Sequence, residues 1–196
     1  MFTGIIETTG TVKEVIVREG NHTFWIQSNL SDSLKPDQSI SHSGACLTVE
    51  EIRDGQHRVT AIRETLSKTN LGQWKENTEV NLERCLPMNG RLDGHLVQGH
   101  VDTLALCIDK KEEKGSWLYR FEFNKKYGSL VIEKGSICLE GISLTVFDVS
   151  KKHFSVAIIP YTMEHTNLHN IAPGYNVNIE FDMIGKYINR YLETRK

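Results

Sequence analysis

A thiol at Cys46 and a hydroxyl at Ser143 occupy matching places in a chain that is written twice. SISHSGACLTV, from Ser39 to Val49, returns as SICLEGISLTV from Ser136 to Val146, at an offset of 97 residues. At the same offset of 97, RETLSKTNL (Arg63 to Leu71) meets YTMEHTNL (Tyr161 to Leu168), and EVNLERC (Glu79 to Cys85) meets NVNIEFD (Asn176 to Asp182). Upstream, GIIETTG (Gly4 to Gly10) meets GHVDTLA (Gly99 to Ala105) at an offset of 95. Three substitutions across this register change chemistry: Cys46 faces Ser143, Ile5 faces His100, and Cys85 faces Asp182. Thiol, imidazole and carboxylate are groups that act as nucleophile, acid or base. Each also has a plain reading: Cys46 as a small strand residue, His100 as a satisfied polar side chain, Asp182 as the cap of a last helix. Together, on duplicated units, they fit two alike molecules held in unlike roles. The positions that agree would serve what both copies do. Gly4 and Gly99 allow close backbone approach, while Thr48, Thr145, Thr65 and Thr162 carry hydroxyls suited to a polar heterocycle or a polyol. The same glycines and threonines also suit the turns and strands of a shared fold.

The elements that must carry these residues read as short strands between turns. Alternating apolar and polar residues predict strands over Thr11–Arg18, His22–Gln27, Leu47–Ile52, His57–Ile62 and Val80–Leu82 in the first half. The second half repeats this with Ala105–Asp109, Trp117–Phe123, Leu144–Val149, His153–Ile159 and Val177–Ile179. About six strands per half imply a small closed antiparallel barrel, which also removes exposed edges. Thr65 and Thr162 each precede a polar stretch that reads as a capped helical turn. Arg84 to Gly94 (RCLPMNGRLDG), with its proline and two glycines, reads as a linker. Past Asp182, Ile184, Ile188, Tyr191 and Leu192 fall at helical spacing opposite Lys186, Asn189 and Arg190, with no counterpart after the first copy. That stripe packs on its own barrel or on another copy of the chain.

The expected fold is all-β: two tandem six-stranded antiparallel barrels over residues 1–90 and 91–182, and a C-terminal α-helix over 183–196. A chain of 196 residues with a net charge of -2 has no basic footprint for nucleic acid. No apolar run approaches the roughly 18 residues of a membrane span, and Met-Phe-Thr-Gly does not open like a signal peptide. The four cysteines lack CxxC spacing, which favours reduced thiols and a cytoplasmic setting over disulfides or zinc. No GxGxxG follows a strand, so a flavin-reductase-like barrel with a nucleotide domain is not indicated.

Five stretches carry a resemblance: MFTGIIE at the start, GACLTV at Gly44 to Val49, GHLVQGHVD at Gly94 to Asp102, GISLTV at Gly141 to Val146, and IPYTMEHTNL at Ile159 to Leu168. In this order and spacing, over nearly the whole chain, they resemble the riboflavin synthase family. The resemblance implies a homotrimer of two-barrel subunits, each barrel binding one 6,7-dimethyl-8-ribityllumazine. It also implies dismutation of two lumazines to riboflavin and 5-amino-6-ribitylamino-uracil without flavin, metal or nicotinamide, at a site between subunits. The last helix would be the trimer contact, and association with a separate lumazine synthase is left open. Carried over by motif, Gly4, Ile5, Ile6, Leu47, Thr48, Ile62, Glu64 and Thr65 resemble contacts of a ligand in the first barrel. Gly99, Val101, Lys134, Ser143, Leu144, Thr145, Ile159, Pro160, Thr162, Met163 and Glu164 resemble contacts of a ligand in the second. Ser39, Cys46, His100 and Asp182 match positions tied to catalysis, with Cys46 or Ser39 aiding a nucleophile and His100 carrying a proton. The chain has Ser43-Gly44 where the family commonly has Asn-Gly. An antenna protein that binds a lumazine or flavin without turnover shares the fold and is the competing reading.

Overall fold

Paired turn residues with positive φ set the hairpins. Glu19-Gly20, Ser43-Gly44, Asp54-Gly55, Lys114-Gly115 and Glu140-Gly141 all take φ between 44° and 86°, the conformation that two-residue hairpin loops require. In a computed structural model describing residues 1–195, the first set of strands is β1 (Thr8–Arg18), β2 (Asn21–Gln27), β3 (Ser39–His42), β4 (Ala45–Arg53), β5 (Gln56–Ala61) and β6 (Glu79–Arg84), with these turns joining β1 to β2, β3 to β4 and β4 to β5. The second set is β7 (Thr103–Glu113), β8 (Ser116–Glu122), β9 (Ser136–Leu139), β10 (Ile142–Phe147), β11 (His153–Ile158) and β12 (Asn176–Phe181). Each set closes into an antiparallel barrel, in the order β1-β2-β5-β4-β3-β6 and its repeat β7-β8-β11-β10-β9-β12. Bulges sit at corresponding places in the long first strands, between Val12 and Glu14 and between Cys107 and Asp109. There they bend the strand around the barrel.

The cores follow the alternation. Phe24, Ile26, Ile40, Val49 and Leu82 fill the first barrel, and Tyr119, Phe121, Phe154, Ile179 and Phe181 the second. The two four-residue strands β3 and β9 are the elements the pattern left unnamed, because so short a run shows no period. Helices α1 (Arg63–Lys68) and α2 (Pro160–His165) start two residues before the expected threonine caps, with Ile62 and Ile159 at their N-caps and no side-chain cap bond. The capping threonines are instead Thr69 and Thr166. Their hydroxyls donate to the carbonyls of Thr65 and Thr162 and accept the N–H of Leu71 and Leu168, opening the next 3-10 turn.

The stretch 84–94 is tied down rather than a free linker: the Leu86 N–H donates to the Met1 carbonyl, and beyond the stretch Val97 pairs with Phe2. The barrels meet in a buried polar seam. The Asn81 amide donates to the Glu140 carbonyl, and Asn178 answers with the Ser43 carbonyl, both at 2.9 Å. Gly44 and Gly141 touch back to back, and a Cβ on Gly44 would lie 2.9 Å from the Gly141 nitrogen. Only glycine fits there. Helix α3 (Met183–Glu193) is held by Lys186 to Asp102 at 2.7 Å, while Ile184, Tyr187, Ile188, Tyr191 and Leu192 are all more than half exposed. Within one chain, therefore, the apolar stripe does not pack on its own barrel.

Candidate active site

In each closed barrel, one pair of neighbouring strands parts at its end. The β4–β5 ladder ends at Val49–Val59, and the β10–β11 ladder at Val146–Val156. Beyond these pairs, Cys46–Leu47–Thr48 diverges from Ile62, and Ser143–Leu144–Thr145 diverges from Ile159. Thr48, Thr145, Ile62 and Ile159 are exposed at the two rims, as are Glu64, Pro160, Glu164 and Lys134. Thr65, Thr162 and Leu144 are half-buried, and Leu47 and Met163 are buried in their barrels. Each rim thus offers an aliphatic face, hydroxyls and unpaired strand backbone. That combination suits a planar heterocycle with a polyol tail.

A segment from the other copy closes each rim. The Cys46 N–H donates to the Gly99 carbonyl at 2.8 Å, and the Ser143 N–H to the Gly4 carbonyl at 2.8 Å. Val101 packs on the first core and Ile6 on the second. This corrects the expected division: Gly4 and Ile6 lie against the second barrel, with the exposed Ile5 between them, and Gly99 and Val101 lie against the first. The physical reason is closeness of backbone. A Cβ on Gly99 or on Gly4 would stand 2.6 Å from the Cβ of Cys46 or of Ser143, so each glycine admits the crossing segment. His100 consequently stands with Cys46, its ring exposed.

The reactive groups at the two rims differ. Burial pushes the pKa of the Cys46 thiol up, against the lowering effects of the Ser39 hydroxyl and the N-terminal ammonium. It is protonated at neutral pH, so a standing thiolate nucleophile is not what this rim provides. Cys85 lies beside the same edge, its thiol 3.4 Å from the Ser39 carbonyl. An open cavity of about 620 Å³ adjoins Ser39, Ile5 and Cys85. At the second rim, the Ser143 hydroxyl lies 2.6 Å from Nδ1 of His95, a buried histidine that the comparison of copies did not single out. Burial lowers His95, and the Asp182 carboxylate opposes that shift. Asp182 also caps α3 by accepting the Ile184 N–H at 2.9 Å, so its plain reading holds alongside its reach to the imidazole. Among the described residues, no three His, Cys, Asp or Glu side chains converge as metal ligands.

The model of the lumazine binding domain matches the chain twice, over residues 3–85 and 98–182. The chain belongs to the lumazine-binding, riboflavin synthase family. It is 40% identical to the riboflavin synthase of Actinobacillus pleuropneumoniae over 195 residues, covering 98% of this chain and 90% of that one. Identity to the riboflavin synthase of Mycobacterium tuberculosis is 38% over 200 residues, covering 99% of both. A solved structure of LumP complexed with riboflavin superposes with a TM-score of 0.86 at 21% identity, covering 92% of this chain and 99% of that one. At that identity the likeness is one of fold. The family match and the geometry agree on the repeat, since each matched segment ends beside a strand that closes one barrel.

Proposed function

We propose that the chain is a riboflavin synthase. It dismutes two molecules of 6,7-dimethyl-8-ribityllumazine, one giving four carbons to the other, to yield riboflavin and 5-amino-6-ribitylamino-uracil. The observation that carries this is the pair of like rims with unlike reactive groups, Ser39–Cys46 at one and Ser143–His95 at the other. One reaction that treats two copies of one substrate differently calls for that arrangement.

The roles follow from charge. The lumazine 7-methyl group is acidic because its anion delocalises into the ring, so a base of near-neutral strength suffices to remove a proton. A buried, neutral His95 bonded to Ser143 is such a base, and Asp182 stabilises the imidazolium that forms. At the other rim, the protonated Cys46 and the Ser39 hydroxyl orient a nucleophile, water included, against the second lumazine, with the exposed His100 beside them as proton carrier. Holding both rings together supplies much of the rate, because a bimolecular encounter becomes a local one.

The two rims that face one another belong to neighbouring subunits of a homotrimer. The exposed stripe of α3 supports this reading, since an apolar face left bare in one chain is suited to cover by another. The expected setting is cytoplasmic, and no described helix is long and apolar enough to cross a membrane. Binding without turnover, as in an antenna protein, has only likeness of fold behind it. Anaerobic incubation of the purified protein with the lumazine should form one riboflavin for every two lumazines consumed, with no added cofactor. Tight binding with no riboflavin formed would overturn the proposal.

A further inference from the structure

Two buried carboxylates hold the crossing segments. Glu83 in β6 is 4% exposed and Glu180 in β12 is 2% exposed. Glu180 accepts three consecutive backbone N–H groups, from Gln98 at 2.7 Å, Gly99 at 2.9 Å and His100 at 2.8 Å. Glu83 accepts the N–H of Thr3 at 2.7 Å and of Gly4 at 3.0 Å, and the Thr3 hydroxyl at 2.7 Å. The segments so gripped do not stay with the barrel that grips them. Gly99 offers its carbonyl to the Cys46 N–H in the first barrel, and Gly4 offers its own to the Ser143 N–H in the second. Resting on the function proposed above, we propose that Glu83 and Glu180 are positioning residues acting across the barrel boundary: Glu180 sets the Cys46–His100 rim of the first barrel, and Glu83 the Ser143 rim of the second.

The chemistry of the grip explains why a carboxylate stands at each place. Three donors converging on one side chain need an acceptor with several lone pairs and no hydrogen of its own, which an ionised glutamate supplies and a glutamine does not. A buried N–H left facing an amide NH2 loses its partner and pushes the segment away. The displacement then passes through one peptide to the carbonyl that orders the opposite rim.

Glu180→Gln and Glu83→Gln separate this from a merely local role. Hydrogen exchange reads the Cys46 and Ser143 amides directly, and a riboflavin titration followed at the Thr48 and Thr145 amides reads the two rims separately. The expected pattern is crossed. Glu180→Gln speeds exchange at Cys46 by at least about tenfold and weakens riboflavin at Thr48, leaving Ser143 and Thr145 within a factor of two, and Glu83→Gln does the reverse. Thr3→Val, which removes one hydrogen bond to Glu83, gives the Glu83→Gln pattern in milder form. Glu180→Asp, whose shorter carboxylate cannot reach all three donors, stands in if Glu180→Gln fails to fold. Effects confined to the barrel that holds the substituted residue, equal effects on both rims, or none, would overturn the proposal. Should riboflavin bind neither rim of the unaltered protein, the proposed function fails, while amide exchange still decides the positioning role.

Discussion

Acid should attack the first barrel through a pair of histidines that never meets water. His42 and His57 are fully buried, their Nε2 atoms 2.9 Å apart. The Nδ1 of His42 lies 3.1 Å from the Ile40 carbonyl, which can only accept, so that nitrogen carries the proton. His57 must then donate from Nε2 and accept the Ser31 hydroxyl at Nδ1, at 2.8 Å. With both rings neutral, the chain of bonds closes without burying a charge. Burial lowers His57 to about 4 from 6.5 and holds His42 well below its usual value, where the charge of His57 adds to the lowering. A base depressed on folding lends stability that is complete above its unfolded pKa and is lost as pH falls towards its folded pKa. From pH 7.5 to 5.5 the loss from His57 alone is about 1.4 kcal/mol, and His42 adds to it. Glu140 at the seam works the other way. Burial raises it to about 7 from 4.5, so its neutral form gains about 1.8 kcal/mol over the same window. In the unaltered protein this gain covers the loss from His57, and the loss from His42 is set against what remains. Glu140→Gln removes the largest opposing part, Glu83 and Glu180 also being raised by burial, and urea unfolding of that variant should lose about 1.4 kcal/mol between pH 7.5 and 5.5. NMR titration of the imidazoles in the unaltered chain gives the same test without a substitution. A His42 or His57 resonance titrating above pH 6 in the folded protein, or a variant whose stability is level across the window, would refute the reasoning.

Two further outcomes are expected. His95→Gln should slow single-turnover riboflavin formation by at least about tenfold, or about 1.4 kcal/mol of barrier; Cys46→Ser should cost less than that, because the thiol it replaces is already protonated. A Cys46→Ser loss exceeding that of His95→Gln would reverse the roles assigned to the two rims. Removal of the residues after Asp182 should give monomers in sedimentation with much reduced activity, and a truncated protein that stayed trimeric or fully active would exclude α3 as the contact.

Much of the barrel architecture could be read in advance because the repeat and the period-two alternation are both local signals. Thr48 and Thr145 were legible as shared positions because the offset pairs them, whereas Ile62 and Ile159 were named through the family resemblance. The four-residue strands β3 and β9 were not legible, since their pairing is set by partners on both sides rather than by any pattern of their own. His95 escaped for a different reason. Comparing copies finds a reactive residue only where the other copy has a counterpart, and His95 lies upstream of the segment that aligns with Gly4. A second histidine five residues before His100 in GHLVQGH was the signal available.

The crossing of segments was illegible on principle. An offset says which positions are equivalent, yet equivalence is silent about which copy each position touches. Gly4 and Gly99 are equivalent under either arrangement, straight or crossed, and the same steric need for glycine follows from both. The decision is made by tertiary contacts: Gly4 to Ser143, Gly99 to Cys46, and the Asn81–Glu140 and Asn178–Ser43 bonds that hold the barrels close enough for the exchange. Each rim is therefore built from both halves of the chain: Ser143 lies against Gly4 of the first half, and His100 follows the Gly99 that lies against Cys46. A first barrel expressed alone would keep Cys46 and Thr48 but lack the Gly99 carbonyl and His100. The duplication therefore reads as two halves that complete one another.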